Sequence, residues 1–207
     1  SGISKFLLLA IPFFVLSGNI MAKAGISTRL IRFVDTCVGH RKGGIANVCI
    51  IVACFFGAIS GSGPATVAAL GAVLIPAMVE RGGFSAAFST ALMATSSSIA
   101  IVIPPSIAFV VYASITGVSI GDMFMAGIIP GILMGLALVV VVMLEVRRNH
   151  VVPSNVEKAS AKERWNAFKD AFWGFLMPVI ILGGIYGGIF TPTEAAAVSV
   201  VYGLFVG

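Results

Sequence analysis

The residues best suited to chemistry in this sequence are small polar residues that interrupt long apolar stretches. The first group is Ser60-Gly61-Ser62-Gly63-Pro64, followed by Thr66, in the middle of an apolar run from Ile45 to Val79. Glycine and proline break the i→i−4 hydrogen-bond ladder of a helix and leave backbone groups without partners. In hydrocarbon such groups persist only where protein or a wet cavity surrounds them. The sequence therefore predicts a polar, unwound tip between two helical arms.

A second polar interruption lies within residues 84–117. One helical arm is predicted to reach about Thr95, where Ser96-Ser97-Ser98 and then Pro104-Pro105-Ser106 interrupt it, and a second arm covers Ile107–Thr116. Proline lacks an amide hydrogen and disfavours helix in the residue before it. We expect one helix that is broken near the middle of a membrane.

Both interruptions are rich in neutral oxygen atoms. The stretches Ile45–Val79 and Phe84–Gly121 contain no Asp, Glu, Lys, Arg or His between their end residues. Hydroxyl and carbonyl oxygens suit a hard monovalent cation, whereas proton relays through membranes use ionisable side chains. The pattern favours coupling to a sodium ion (Na+) over coupling to protons, with Ser60, Ser62 and Ser97 as candidate sodium ligands.

Helix N-termini are also predicted at the two interruptions, after Pro64 and after Pro105. Free N–H groups and the positive end of the helix dipole favour an anionic ligand such as a carboxylate. An alternative is that both breaks are structural kinks, but two multi-residue breaks flanked by hydroxyls favour a binding site. The candidate residues for ion or substrate binding are Ser60, Gly61, Ser62, Gly63, Pro64, Thr66, Thr95, Ser96, Ser97, Ser98, Pro104, Pro105 and Ser106.

The composition determines the class of protein that must position these residues. The chain has 207 residues, of which 58% are hydrophobic and only 10% are charged. A soluble domain of this size does not need so much apolar surface, and the long apolar runs do not alternate as barrel strands do. We expect an all-α polytopic membrane protein. A start without methionine and an end at Gly207 inside an apolar helix indicate a fragment of a longer protein.

The arms around the first break are short for spanning helices. Ile45–Ile59 and Thr66–Val79 have 15 and 14 residues, whereas a span needs about 20. If residues 45–81 form a re-entrant hairpin, every lysine and arginine except Lys5 lies on one side of the membrane. The positive-inside rule makes that side cytoplasmic, and membrane lipid is an expected partner. No nucleic-acid partner is expected.

The other predicted segments surround these two interruptions. Residues 1–44 hold a span over Phe6–Ala22, kinked at Pro12, and an amphipathic connector over Gly25–Gly44. Residues 119–144 hold a helix that starts at the capping-box pattern after Ser119. Residues 145–170 form a polar loop with a short amphipathic helix that begins at Ser160 and Glu163. Residues 171–207 hold a span over Ala171–Phe190 and a last helix that begins at Thr191-Pro192-Thr193-Glu194.

Four motifs resemble those of one transporter family. They are Phe56-Gly57-Ala58-Ile59-Ser60-Gly61-Ser62-Gly63-Pro64-Ala65-Thr66, Ala94-Thr95-Ser96-Ser97-Ser98 with Ile101-Val102-Ile103-Pro104-Pro105-Ser106-Ile107, Ala126-Gly127-Ile128-Ile129-Pro130-Gly131, and Gly188-Ile189-Phe190-Thr191-Pro192-Thr193-Glu194. Together they resemble the large membrane subunit of tripartite ATP-independent periplasmic (TRAP) transporters. One departure is Ala100, where many members carry glycine.

The resemblance implies a secondary transporter rather than an enzyme. It implies an elevator-type protein of two inverted repeats, of which this chain holds the first hairpin and the first broken helix. Such a protein lies in the bacterial inner membrane and works with a small transmembrane subunit and a periplasmic substrate-binding protein. It imports organic anions such as C4-dicarboxylates, sialic acid or sugar acids with sodium. The alternatives are a stand-alone sodium-coupled carboxylate carrier, an ion channel and, most remotely, an intramembrane serine hydrolase using Ser60 or Ser62.

Overall fold

The computed structural model describes residues 8–149 and 158–206, and all regular secondary structure in these ranges is helical. The α-helices are α1 (Ala10–Lys23), α2 (Ile26–Val38), α3 (Gly44–Ser60), α4 (Gly63–Glu80), α5 (Ala86–Ser98), α6 (Ile107–Thr116), α7 (Ile120–Arg148), α8 (Ala161–Tyr186) and α9 (Pro192–Val206). A 3₁₀ turn over Ile99–Ile101 extends α5. The predicted all-α fold is confirmed.

Several of these helices are long and apolar enough to cross a membrane. Among the described residues, α4, α7 and α8 meet this criterion singly, and α1 with α2 meets it as a pair bent by 67°. The amphipathic connector is therefore a distinct helix, α2, set at a steep angle to α1. Lys5 and His150 lie outside the described residues.

Helices α3 and α4 form a hairpin whose tip is only Gly61 and Ser62. Gly61 ends α3 in the left-handed conformation, with φ of 62°, which favours glycine. Gly63 and Pro64 belong to the first turn of α4, where proline needs no hydrogen-bond partner, so this arm is longer than predicted. At the other end, a Cβ atom on Gly82 would lie 2.6 Å from Ile45 Cγ2, so both feet of the hairpin lie together. The placement of this hairpin in a membrane stays a prediction.

The feet of the hairpin lie at the end of the molecule that carries the basic segments. Arg81, just after α4, forms an ion pair of 2.9 Å with Asp35 of α2. Arg32 of α2 pairs with Asp170 of α8 at 3.5 Å. Before α3, Gly43 lies against Val142 and Val146 of α7. The connector, the hairpin feet, the end of α7 and the beginning of α8 therefore share one end of the fold.

The predicted interruption at Ser96-Ser97-Ser98 is wrong in its position. These three residues complete α5, and the break comes later, at residues 102–106. Serine does not stop a helix when its hydroxyl bonds to a carbonyl one turn back. Ser97 Oγ and Ser98 Oγ both donate to the Ala94 carbonyl, at 2.7 and 3.2 Å. Only the prolines interrupt the helix.

Two further boundaries differ from the sequence prediction. Helix α7 runs to Arg148 instead of ending at Leu144, because no glycine or proline stops it. The predicted short amphipathic helix and the following span form one continuous helix, α8, whose capping box of Ser160 and Glu163 begins it as predicted. Pro12 lies in the first turn of α1, just after the turn at Leu9, and a kink at this residue stays a prediction.

Candidate ion-binding junction

The two interruptions meet in space, as two polar breaks in neighbouring elements. The backbone N–H of Ile107, at the start of α6, donates to the carbonyl of Gly61 at the hairpin tip, with a distance of 3.2 Å. A Cβ on Gly61 would lie 2.8 Å from the Pro105 carbonyl oxygen, and one on Gly63 would lie 3.1 Å from the Ser97 carbonyl oxygen. We call this contact between the hairpin tip and the broken helix the junction.

The tip side of the junction holds three linked hydroxyl residues. Ser60 Oγ and Thr66 Oγ1 are 3.3 Å apart, and both residues are almost fully buried. Thr66 Oγ1 donates to the Ser62 carbonyl at 2.9 Å, and the Ser62 N–H donates to Ser60 Oγ at 3.3 Å. Three oxygen atoms (the Ser60 and Thr66 hydroxyls and the Ser62 carbonyl) are thus gathered within seven residues of chain.

Proline leaves backbone carbonyls without a helical partner on both sides of the junction. The helical partner of the Ser60 carbonyl would be the nitrogen of Pro64, and those of Ala100 and Ile101 would be Pro104 and Pro105. Ser106 Oγ donates to the Ile101 carbonyl at 2.5 Å and replaces one of the lost bonds. The Ser60 carbonyl, at the C-terminal end of α3, and the Ala100 carbonyl, one turn before Pro104, therefore have no α-helical partner near the junction.

The helix N-termini at the junction are already capped by side chains. Ser62 Oγ accepts from the Ala65 N–H at 3.4 Å, and Ser106 Oγ accepts from the Phe109 N–H at 3.3 Å. The predicted second arm over Ile107–Thr116 is confirmed as α6, with Ser106 as its cap. With these donors occupied, the junction offers oxygen acceptors, which suit a cation better than an anion.

The four residues from Thr95 to Ser98 are distributed over different faces of α5. Thr95 is exposed, and its hydroxyl donates to the Ala91 carbonyl at 2.8 Å. Ser96 is buried beside Cys49, and its hydroxyl makes no hydrogen bond in the described part of the chain. Ser97 brings its carbonyl to Gly63, whereas its hydroxyl bonds within α5. The structure thus brings Ser97 to the junction by its backbone.

Close packing at small residues supports the junction, and the sequence prediction missed part of it. Gly57 of α3 crosses the 3₁₀ turn so closely that its Cβ would lie 2.7 Å from Ala100 Cα. Gly18 of α1 packs on Ser60 in the same way, at 2.8 Å from Ser60 Cβ. On the other side, Gly127 and Gly131 of α7 pack against Val102 and Ile103 in the break. The small-residue spacing of α7 was visible in the sequence, but its target was not.

Comparison with known proteins identifies the family. The model of the "Tripartite ATP-independent periplasmic transporter, DctM component" family matches residues 1–207. The chain belongs to this family. Its members are transport proteins, so the alternative of an intramembrane serine hydrolase is rejected in favour of a transporter component.

Several curated relatives are named as permease proteins of TRAP transporters. The chain is 48% identical, over 97% of its length and 46% of the relative, to the C4-dicarboxylate TRAP transporter large permease protein DctM of Pseudomonas aeruginosa. It is 46% identical to the isethionate TRAP transporter permease protein DctMQ of Oleidesulfovibrio alaskensis, over 100% of the chain and 32% of the relative. The ectoine TRAP transporter large permease protein TeaC of Halomonas elongata is also 46% identical, over 100% of the chain and 48% of the relative. The chain thus spans about half the length of the DctM and TeaC relatives and about a third of the length of DctMQ.

Proposed function

We propose that this chain forms part of the large permease subunit of a sodium-coupled importer of organic anions. The observation that supports this proposal is the junction. There the Ile107 N–H donates to the Gly61 carbonyl, and neutral oxygen atoms of Ser60, Ser62 and Thr66 lie at the same hairpin tip. Family membership supports a transport role for it. The coupling ion, the substrate and the partners are the proposed elements.

The proposed sodium ligands are neutral oxygens of the junction. Ser60 Oγ, Thr66 Oγ1 and the Ser62 carbonyl are already within hydrogen-bond distance of one another, and the Ser60 and Ala100 carbonyls have lost their helical partners. Unwound backbone carbonyls of discontinuous membrane helices are the usual ligands of coupling sodium ions. A sodium ion at this point would also link the hairpin to the broken helix, so that binding changes the contact between them.

Capture of the substrate is proposed to depend on a periplasmic binding protein. The relatives named above transport C4-dicarboxylates, isethionate or ectoine by name, and we propose a C4-dicarboxylate or similar organic anion here. A helix N-terminus contributes roughly 0.3–2 kcal/mol toward an anion, whereas a micromolar Kd corresponds to roughly −8 kcal/mol. The capped N-termini of this half-site are too weak to capture a dilute acid alone.

The proposed architecture follows the family resemblance. The hairpin and the broken helix would move together as part of an elevator built from two inverted repeats, with the second repeat in the rest of the subunit. The basic end of the fold would face the cytoplasm across the inner membrane, and a small transmembrane subunit would accompany the large one.

Uptake by reconstituted liposomes tests this proposal. The full-length large subunit is reconstituted with the small subunit, and uptake of radiolabelled C4-dicarboxylate is measured with and without an inward sodium gradient and the binding protein. We expect uptake near background unless sodium and the binding protein are both present.

The rival functions give different results in the same experiment. High-affinity sodium-driven uptake without the binding protein would contradict the tripartite proposal and support a stand-alone carrier. Flux that does not saturate and gives no counterflow would support a channel. Full uptake in choline in place of sodium would contradict sodium coupling.

A further inference from the structure

The structure contains a cationic cleft that the transport site does not use. An open cleft of about 350 Å³ lies between α2 and α8, at the basic end of the fold. It is lined by Phe33 from α2 and by Ala161, Arg164, Trp165 and Phe168 from α8. We call it the α2–α8 cleft. It contains no residue of the junction.

The walls of the cleft are aromatic and firmly packed. The rings of Phe33 and Phe168 are 5.6 Å apart, and Trp165 stacks on Phe168 with a centroid distance of 5.7 Å. Trp165 is nevertheless 57% exposed, so its other side faces outward. Amphipathic aromatic side chains in this arrangement are typical of the boundary between headgroups and acyl chains.

Arg164 gives the cleft its charge. One guanidinium nitrogen, Nη2, donates to the Ala159 carbonyl at 3.1 Å, which restrains the side chain. Its Nε atom is shielded from water and has no hydrogen-bond acceptor in the described part of the chain. A guanidinium with an unused donor favours a planar anionic group such as a phosphate or carboxylate.

The charges around the cleft are predominantly positive. Lys169 Nζ lies 5.5 Å from the centre of the Trp165 ring, which lines the cleft. Of the neighbouring acids, Asp170 already pairs with Arg32, and Glu163 accepts the Ser160 N–H as a helix cap. The free charge facing this end of α8 is therefore cationic.

We propose that the α2–α8 cleft binds the phosphate of an anionic phospholipid. Arg164 would hold the phosphate, with a small rotation that brings its Nε–H to an oxygen, and the aromatic wall would hold the glycerol and the upper acyl chains. Basic pockets beside membrane helices recognise anionic headgroups in this way. This proposal requires only a membrane-embedded fold and does not depend on sodium coupling.

Native mass spectrometry of the full-length protein tests the proposal. The detergent-solubilised protein is titrated with phosphatidylglycerol or with phosphatidylcholine of the same acyl chains, and the apparent Kd of the tightest lipid is measured. We expect phosphatidylglycerol to bind at least tenfold more tightly than phosphatidylcholine, and Arg164→Gln to remove about tenfold of that affinity.

Two further variants distinguish lipid binding in the cleft from lipid attraction by general surface charge. Lys162→Gln removes the same charge from an exposed position on the same helix turn, and should change the Kd by no more than about twofold because solvent screens it. Ala161→Phe keeps every charge but fills the cleft, and should weaken phosphatidylglycerol binding even if Arg164→Gln fails to fold.

Three results would contradict the proposed lipid site. Equal binding of the two lipids, or unchanged binding in Ala161→Phe, would overturn the proposal and show that another part of the protein covers the cleft or that it stays empty. Displacement of phosphatidylglycerol by millimolar inorganic phosphate would show a site for free anions and would also overturn it.

Discussion

The crossing of α3 over the 3₁₀ turn provides the sharpest structural prediction. A methyl group added at Gly57 would lie 2.6 Å from Ala100 Cβ and 2.7 Å from Ala100 Cα. Because a backbone atom is among these contacts, a side-chain rotation cannot relieve the clash. The Gly57→Ala variant must therefore push the hairpin away from the broken helix.

The expected magnitude follows from two opposing effects. Overpacking by one methyl group costs about 1–3 kcal/mol, while alanine in a helix interior recovers up to about 1 kcal/mol relative to glycine. We expect Gly57→Ala to lower the free energy of unfolding by about 1–2 kcal/mol. Sodium-dependent uptake should fall as well, because the same displacement separates the two sides of the junction.

The measurement is unfolding of the full-length protein by SDS in mixed micelles, followed by helical circular dichroism. Gly183→Ala is the matched control, since a Cβ at Gly183 of α8 meets no atom within 4 Å, and its stability should stay equal or rise. Adding Ala100→Gly to Gly57→Ala should recover part of the loss, with a coupling of at least about 0.5 kcal/mol. If Gly57→Ala is as stable and active as the control, α3 does not cross the turn as described.

Three other predictions concern the topology, the tip and the basic end. A cysteine introduced at Arg81 should react with an impermeant thiol reagent only from the cytoplasm, and one at Val118 only from the periplasm; labelling of position 81 from outside would make the hairpin a spanning pair. Ser62→Ala should weaken the sodium dependence of uptake more than it alters protein abundance, whereas Ser97→Ala should leave it unchanged because the Ser97 hydroxyl bonds within α5; normal sodium activation in Ser62→Ala would leave only the backbone carbonyl of Ser62 as a ligand. Arg81→Gln should lower the free energy of unfolding by no more than about 1 kcal/mol, because the ion pair with Asp35 is partly exposed. A larger loss, measured by SDS titration, would mean that this ion pair holds the hairpin foot in place.

The local breaks were predictable because glycine and proline act through their own backbone. The tip at Gly61 and Ser62 and the arm Ile107–Thr116 follow directly from such residues. Serine acts differently, since its hydroxyl can bond within a helix, and the sequence does not tell which partner it takes. For this reason the sequence predicts a break at Ser96, Ser97 and Ser98, whereas the break begins only after the 3₁₀ turn.

Contacts between distant segments were not predictable from one sequence. Gly57 and Ala100 look like ordinary small residues of apolar helices, and only the fold shows that each requires the other to be small. The same holds for Gly18 against Ser60 and for the bond between Gly61 and Ile107. The sequence predicted the two halves of the junction separately, and the packing of α3 on the broken helix joins them.

The sodium concentration that gives half-maximal uptake tests the central proposal most directly. It is measured in liposomes with saturating substrate and binding protein for the wild type, Ser60→Ala and Thr66→Val, with Thr95→Ala as the matched control. Ser60 and Thr66 share the buried hydroxyl pair at the tip, whereas the exposed Thr95 bonds only within its own helix. The account predicts a rise of about tenfold or more in both tip variants, the effect of losing roughly 1.4 kcal/mol of ion binding, and no change in Thr95→Ala. Unchanged sodium dependence in both tip variants, at normal abundance, would contradict a sodium site built on the hydroxyls of the junction.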